Sequence, residues 1–216
     1  MPSISAENYL KNIFELGVSE EKVTTSLLAE RLRISPASVT GMIKKLSKEG
    51  FLRHVPYKGV EVTEKGKRSA LKIIRKHRLW EMFLLEVLHF PWDTIHEEAE
   101  EFEHIMSDRI EDRIDEVLGH PAVDPHGAPI PRKNGTMKQL RLKPLADADE
   151  HATVRVLTIT DEDPELLKYA TSIGIAINTR VVVKQKNAFD DSIVLRIGGK
   201  ETVVSSKLAE NIFVEQ

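Results

Sequence analysis

The apolar residues at the start of the chain follow a helical repeat three times and then alternate as in short β-strands. The three predicted helices cover 5–16, 26–32 and 36–50. Gly17 marks the predicted end of the first helix. Thr24 or Thr25 suits the N-cap of the second helix, and Pro36 suits the first turn of the third. Two β-type runs then flank a turn at 56–59, so the order predicts a winged helix-turn-helix.

The remainder of the chain changes from helical to β-type patterning. Three further amphipathic helices are predicted over 63–89, 94–108 and 108–118. Pro91 separates the first two of these helices, and Gly119 ends the third. Residues 119–150 contain five prolines and three glycines, which predicts a partly ordered linker. Alternating β-type runs then predict a small β-barrel of the SH3-like kind.

These patterns predict a mainly α chain with a small β part, divided into segments 1–68, 69–120, 121–150 and 151–216. The absence of cysteine from all 216 residues excludes disulfides, thiolate metal sites and cysteine nucleophiles. The first residues carry charges where an export signal needs an apolar core, and no run of about 18 apolar residues occurs. We therefore expect a cytoplasmic protein without a membrane span.

Charge is distributed unevenly along the chain. Residues 1–68 contain 12 Lys and Arg against 8 Asp and Glu, a net charge of +4, whereas residues 92–118 contain 2 against 11, a net charge of −9. A basic segment suits a polyanionic partner, and a dense acidic helix suits cations. The alternative is that both are ordinary solvated surfaces.

The predicted third helix carries the side chains that would read DNA. In a helix-turn-helix the beginning of this helix enters the major groove, where hydroxyl and methyl groups contact bases and lysine neutralises phosphate. The positions predicted to face the duplex are Ser35, Ala37, Ser38, Thr40, Gly41 and Lys44. Arg53, Tyr57 and Lys58 lie on or beside the predicted wing. The alternative to DNA binding is a winged helix that contacts another protein.

The acidic helix and the long helix before it carry candidate metal ligands. His96, Glu100, Glu103 and His104 share one helical face, at about 0°, 40°, 340° and 80°. His77 and Glu81 are spaced one turn apart on the long helix. Imidazole and carboxylate groups suit manganese, iron, zinc and cobalt. The alternative is a solvated acidic helix with incidental histidines.

The runs RKHRLWE, IHEEAEEFEHIMSD and AVDPHGAPIP, which follow a winged helix, resemble the diphtheria toxin repressor and manganese transport regulator family of metal-dependent repressors. The resemblance covers essentially the whole chain. It implies a DNA-binding domain at 1–68, a helical dimerisation and metal-binding domain at 69–120, a linker at 121–150 and an SH3-like (FeoA-like) domain at 151–216.

The same resemblance implies two metal sites. The primary site would use Asn8, Glu100, Glu103 and His104. The ancillary site would use His77, Glu81 and His96, with Asp124 or one of Asp161, Glu162 and Asp163 completing it. Glu100 stands where iron-type members have cysteine and manganese-type members glutamate, which favours Mn²⁺ over Fe²⁺. Asn8 departs from both types, since a neutral amide is a poorer ligand than carboxylate for a hard cation. Zn²⁺ and Co²⁺ are alternative ions for the same sites in vitro, as the donor types allow.

The sequence hypothesis is a metal-activated homodimeric repressor, not an enzyme, that binds operator DNA of metal-uptake genes. The bound cation would fix the first helix relative to the acidic helix. The candidate dimer contacts are Leu79, Trp80, Phe83, Leu84 and Val87, each of which could equally belong to the intradomain core. Two alternatives stay open, a winged-helix regulator of an organic ligand with a structural His/Glu cluster and a di-iron carboxylate enzyme. The second would need another Glu-x-x-His copy, which is missing.

Overall fold

The computed structural model describes residues 3–19, 22–55, 59–160 and 163–215. The helices within these ranges are α1 Ile4–Ser19, α2 Thr25–Arg31, α3 Pro36–Lys48, α4 Glu64–Glu86, α5 Ile95–Phe102, α6 Asp108–Val117, α7 Pro164–Ser172 and α8 Ser206–Glu210, with a 3₁₀ turn at Leu145–Asp147. The strands are β1 Leu52–Val55, β2 Gly59–Val62, β3 Leu142–Pro144, β4 Thr153–Ile159, β5 Arg180–Lys186, β6 Ile193–Ile197, β7 Lys200–Val204 and β8 Ile212–Glu215. None of the described helices combines the length and apolar character needed to cross a membrane.

The chain forms two compact units. The first contains residues 1–77 with 131–137, and the second contains residues 78–130 with 138–216. These units divide the chain differently from the four segments predicted from the sequence, whose boundaries remain a prediction.

The first unit contains the predicted winged helix. Apolar side chains of α1, α2, α3 and the β1–β2 hairpin form one core, in which Leu10, Leu28 and Leu46 are fully buried. The Thr24 side chain caps α2 by accepting a hydrogen bond from the Leu27 amide at 3.2 Å. The order of elements therefore confirms the predicted motif.

Two predicted helix ends are wrong. The first helix continues through Gly17 to Ser19, because a single glycine weakens a helix without obliging it to end. The acidic helix ends at Phe102 instead of continuing to Asp108. Ser107 explains the second error, since its hydroxyl accepts a hydrogen bond from the Ile110 amide at 3.3 Å and so caps the separate helix α6.

The second unit contains the end of α4, α5, α6 and the predicted β domain. Six antiparallel strands form one sheet in the order β3-β8-β4-β5-β6-β7, whose buried side chains pack with those of α7 and α8. Trp92, which precedes α5, also packs against this core.

The predicted linker is an ordered part of the second unit where it passes strand β4. The backbone amide of Ile159 donates to the carbonyl of His126 at 3.0 Å, and the Thr158 hydroxyl donates to the carbonyl of Gly127 at 3.4 Å. Gly127 has φ +90°, and a Cβ there would lie 1.8 Å from the Leu157 carbonyl oxygen. The close approach of these two backbones therefore requires glycine at this position.

Candidate metal centre and DNA-reading surface

A buried carboxylate on α4 lies between two imidazoles in the second unit. Glu81 is fully buried, and its Oε1 atom lies 3.3 Å from Nδ1 of His96 and 3.7 Å from Nδ1 of His126. His96 belongs to α5, and His126 belongs to the ordered loop after α6. Carboxylate and imidazole groups from three segments thus converge in a space with little access to water.

The loop adds a second carboxylate to this cluster. Asp124 Oδ1 accepts hydrogen bonds from the backbone amides of His126 and Ala128, both at 2.9 Å, which fixes the aspartate within a tight turn. One ligand atom from each of Glu81, Asp124 and His126 lies within 4.8 Å of the others, and all three residues are buried. This donor set suits a divalent cation such as Mn²⁺, Fe²⁺ or Zn²⁺.

His126 was not among the ligands predicted from the sequence. It follows Pro125 in a segment whose prolines and glycines predict a linker, so no helical or strand periodicity marks it. The indole of Trp92 stacks on its ring with centroids 5.3 Å apart, and the Trp92 Nε1 atom donates to the Pro125 carbonyl at 3.3 Å. The signal that could have identified His126 is its place two residues after Asp124, in a segment that resembles the family.

His77 lies one turn before Glu81 on α4 and belongs to the first unit. It is buried, and its Nδ1 atom is 3.5 Å from the Nζ atom of Lys11, which is also buried. Because an ammonium group can only donate hydrogen bonds, the His77 Nδ1 atom is the acceptor of this contact with Lys11.

The predicted primary ligands of the acidic segment occupy the end of α5 and the turn after it. Glu103 is the C-cap residue and is 1% exposed, and its Oε1 atom lies 3.3 Å from Nε2 of His104. The side chain of Glu100 is 52% exposed and lies 3.9 Å from Nε2 of His96. His96 and Glu100 therefore share one face of α5, as the helical repeat predicts. His104 follows the helix instead of lying on it, because the helix has already ended.

Asn8 lies on α1 in the first unit. Its Oδ1 atom is buried and accepts no hydrogen bond within the part of the chain that the structure describes. A buried amide oxygen without a donor costs about 1–3 kcal/mol, and a cation is one partner that would satisfy it. Glu100, Glu103 and His104 belong to the second unit.

Of the three acidic residues of the β domain proposed to complete the ancillary site, the structure describes only Asp163. Asp161 and Glu162 lie outside the described residues. Asp163 caps α7 and accepts a hydrogen bond from Lys207 Nζ at 2.8 Å, and this bond lowers the pKa of its carboxyl below the ordinary aspartate value. Asp163 therefore has a structural role at the beginning of α7.

The predicted DNA-reading side chains lie at the beginning of α3. All six predicted positions of this helix are exposed, namely Ser35, Ala37, Ser38, Thr40, Gly41 and Lys44. Ser35 also caps the helix by accepting a hydrogen bond from the Ser38 amide at 3.2 Å. A Cβ built on Gly41 meets no heavy atom within 4 Å, so packing among the described residues does not explain this glycine.

The wing is only partly described. Arg53 of β1 is exposed and donates to Glu61 of β2 at 3.0 Å, so a phosphate would compete with this carboxylate for the guanidinium. Tyr57 and Lys58 lie outside the described residues.

The five candidate dimer contacts divide by burial. Leu79 and Leu84 are at most 2% exposed and pack inside the second unit, which favours their interpretation as intradomain core. Trp80 and Phe83 are partly buried, whereas Val87 is 40% exposed. Phe83 lines a surface groove with apolar residues of α6, among them Ile110, Ile114 and Val117.

Three family models match the chain in succession. They are the iron dependent repressor N-terminal DNA binding domain at residues 1–60, the iron dependent repressor metal binding and dimerisation domain at 63–132, and the FeoA domain at 143–216. An iron-dependent repressor, IdeR, of Mycobacterium leprae is 33% identical in an alignment of 227 positions that includes 98% of this chain and 97% of that protein.

Solved structures agree with these matches over the full length. A manganese-dependent transcriptional repressor in complex with manganese is 38% identical with a TM-score of 0.93, covering 98% of this chain and 99% of that one. The structure of ScaR with bound Zn²⁺ is 33% identical with a TM-score of 0.86, covering all of both chains. These relatives are transcriptional repressors and not enzymes. The chain therefore belongs to the iron-dependent repressor family of metal-dependent, DNA-binding transcriptional repressors.

Proposed function

We propose that the chain is a homodimeric repressor that binds the operators of metal-uptake genes when a divalent cation, Mn²⁺ in preference to Fe²⁺, occupies its sites. The observation that carries this proposal is the pair of buried carboxylates, Glu81 and Glu103, each placed against imidazole nitrogen. A buried carboxylate is costly unless a positive group compensates it. A divalent cation would contribute to that compensation, because carboxylate oxygen and imidazole nitrogen are ligands that such ions prefer.

We assign the ligands to two sites. The primary site uses Asn8, Glu100, Glu103 and His104. The ancillary site uses His77, Glu81, His96 and Asp124, to which the loop geometry adds His126. Asn8 is supported by its buried Oδ1 atom, which accepts no hydrogen bond from any described residue.

The proposed preference for Mn²⁺ rests on the chemistry of the ligand atoms. Oxygen and imidazole nitrogen provide every proposed ligand, and the chain has no cysteine thiolate that would favour softer ions. The exposed side chain of Glu100 supplies a hard oxygen donor at the edge of the primary site.

The ligands also suggest how occupancy would change DNA binding. Asn8 lies on α1 of the DNA-binding unit, and Glu100, Glu103 and His104 lie in the other unit. When the primary site is empty, Glu100 and Glu103 repel each other through like charge. When it is filled, the two units are linked, and the α3 helices of a dimer take the spacing of successive major grooves, about 34 Å. Linkage requires DNA to tighten cation binding by the same factor.

The proposal is tested by titrating Mn²⁺, and Fe²⁺ without oxygen, into metal-free protein mixed with labelled DNA. The duplex would be selected from a random library with Mn²⁺-loaded protein. We expect DNA affinity to rise at least tenfold with either ion and to return to its starting value with chelator. Affinity that no divalent ion changes would refute the proposal and favour a regulator of an organic ligand.

A phosphate contact through the recognition helix gives a second prediction. Lys44 is exposed on α3, and its removal in Lys44→Gln should weaken binding to all duplexes alike. The slope of log K against log salt concentration should fall in magnitude by about 0.9, since one fewer counterion is released. Lys200→Gln, an exposed lysine on β7, is the matched control and should leave the slope unchanged. An unaltered slope for Lys44→Gln would show that this lysine makes no phosphate contact.

For the dimer, we propose the apolar groove that Phe83 of α4 forms with Ile110 and Val117 of α6, together with Val87, which follows α4. Val87, Ile110 and Val117 are 40–52% exposed in the single chain. Burial of such side chains against a second copy would stabilise the pair by about 25 cal/mol per Å² of apolar area.

A further inference from the structure

Asp124, one of the proposed ancillary ligands, already faces a permanent cation. The Nε atom of Arg78 on α4 lies 3.2 Å from Asp124 Oδ2, and the two side chains are 15% and 1% exposed. The Nη1 atom of the same guanidinium donates to the carbonyl of Pro129, further along the loop. Arg78 therefore contacts the loop at two points, through an ion pair with a candidate metal ligand and a hydrogen bond to a backbone carbonyl.

The other oxygen of Asp124 does not depend on Arg78. Oδ1 accepts two backbone hydrogen bonds at 2.9 Å, from His126 and Ala128, so the turn itself orients the carboxylate. The loop is held further by the Ile159 amide, which donates to the His126 carbonyl at 3.0 Å. The orientation of the Asp124 carboxylate within its turn thus also depends on backbone contacts that do not involve the guanidinium.

We propose that Arg78 sets the affinity of the ancillary site by competing with the metal ion for Asp124. This inference rests on the proposed function, because it assumes that the Glu81, Asp124 and His126 cluster binds a cation. Arginine keeps its charge at every physiological pH, so it is a fixed competitor. It weakens cation binding in two ways, by neutralising the Asp124 carboxylate and by repelling a second positive charge in a buried environment.

The consequence is a higher metal threshold for the ancillary site. An aspartate shared with arginine binds a divalent cation less tightly than an aspartate held only by backbone amides. The charge of Arg78 beside Asp124 therefore sets the metal concentration at which this site fills.

The experiment measures Mn²⁺ affinity by calorimetry on full-length, metal-free protein carrying Glu103→Gln, so that the ancillary site dominates the titration. Arg78→Met and Arg78→Gln remove the charge and should tighten Mn²⁺ binding by about tenfold or more. Arg78→Lys keeps the charge near Asp124 and should bind within about threefold of the unsubstituted background. Circular dichroism of the metal-free proteins checks that each variant is folded. Two uncharged variants are made so that the test can still be read if one of them does not fold.

The outcomes separate this inference from the proposed function. If the background binds Mn²⁺ and Glu81→Gln abolishes binding, the ancillary site exists. Equal or weaker binding by the folded uncharged variants would then overturn the role of Arg78 alone and show that it only holds the loop. If Glu81→Gln changes nothing, the ancillary site itself is refuted, and this inference falls with it.

Discussion

Replacing Glu103 with glutamine should abolish the Mn²⁺-dependent rise in DNA affinity. Glu103 is 1% exposed and lies 3.3 Å from His104, so it is the buried carboxylate of the proposed primary site. The amide keeps the shape of the side chain but removes the negative charge that a hard cation requires. Loss of residues that merely support ligands costs 10–100-fold in metal affinity, so loss of a ligand should cost more than about 100-fold.

Calorimetry with Mn²⁺ and the DNA titration described above measure this effect together. Glu101→Gln is the matched control, because Glu101 is an exposed glutamate two residues earlier on α5 and is not a proposed ligand. It should retain the full response. His77→Ala should weaken the response without abolishing it, since His77 belongs to the ancillary set. A Glu103→Gln protein that still responds to Mn²⁺ at wild-type concentrations would remove Glu103 from the primary site.

Replacing Gly127 with alanine should lower both the stability of the fold and the affinity of the ancillary site. The added Cβ would lie 1.8 Å from the Leu157 carbonyl oxygen, so the loop must move away from β4. With positive-φ strain added to the clash, we expect a loss of about 2–4 kcal/mol in the free energy of unfolding. The displaced loop carries Asp124 and His126, so Mn²⁺ affinity at that site should fall as well.

Gly135→Ala separates the clash from the strain. Gly135 also has a positive φ, +79°, but a Cβ there meets no heavy atom within 4 Å among the described residues. Gly135→Ala should lower the free energy of unfolding only by the backbone strain, about 1 kcal/mol, and should leave Mn²⁺ affinity unchanged. Thermal unfolding and calorimetry of both variants give the comparison. Equal losses for Gly127→Ala and Gly135→Ala would contradict the close packing of the loop against β4.

Local patterns predicted the DNA-reading part of the molecule well. Thr24 and Ser35 cap their helices as their residue types favour, and Pro36 begins α3. These signals act over one helical turn, so they are contained in a few neighbouring residues. The end of the acidic helix was predicted less well, because Ser107 as a cap competed with an amphipathic pattern that continued past it.

Spacing along helices also placed part of the candidate metal centre. His96 and Glu100 lie near each other on α5, as the helical repeat predicts, and Glu81 contacts His96 from α4. The types of candidate ligand and their meeting between two helices were therefore readable from the residues, whereas the division into a primary and an ancillary set followed from the resemblance.

The sequence by itself determined the winged helix, the types of candidate metal ligand and the β-rich character of the last segment, because these follow from periodicity, capping and side-chain chemistry. Only the tertiary structure decided that the proline-rich segment is ordered, that His126 joins Glu81 and that Arg78 shares Asp124. Arg78 and Asp124 are 46 positions apart in the sequence, and Glu81 and His126 are 45 positions apart. Their geometry is set by the packing of the loop on β4, and no local pattern in the chain encodes such a long-range contact.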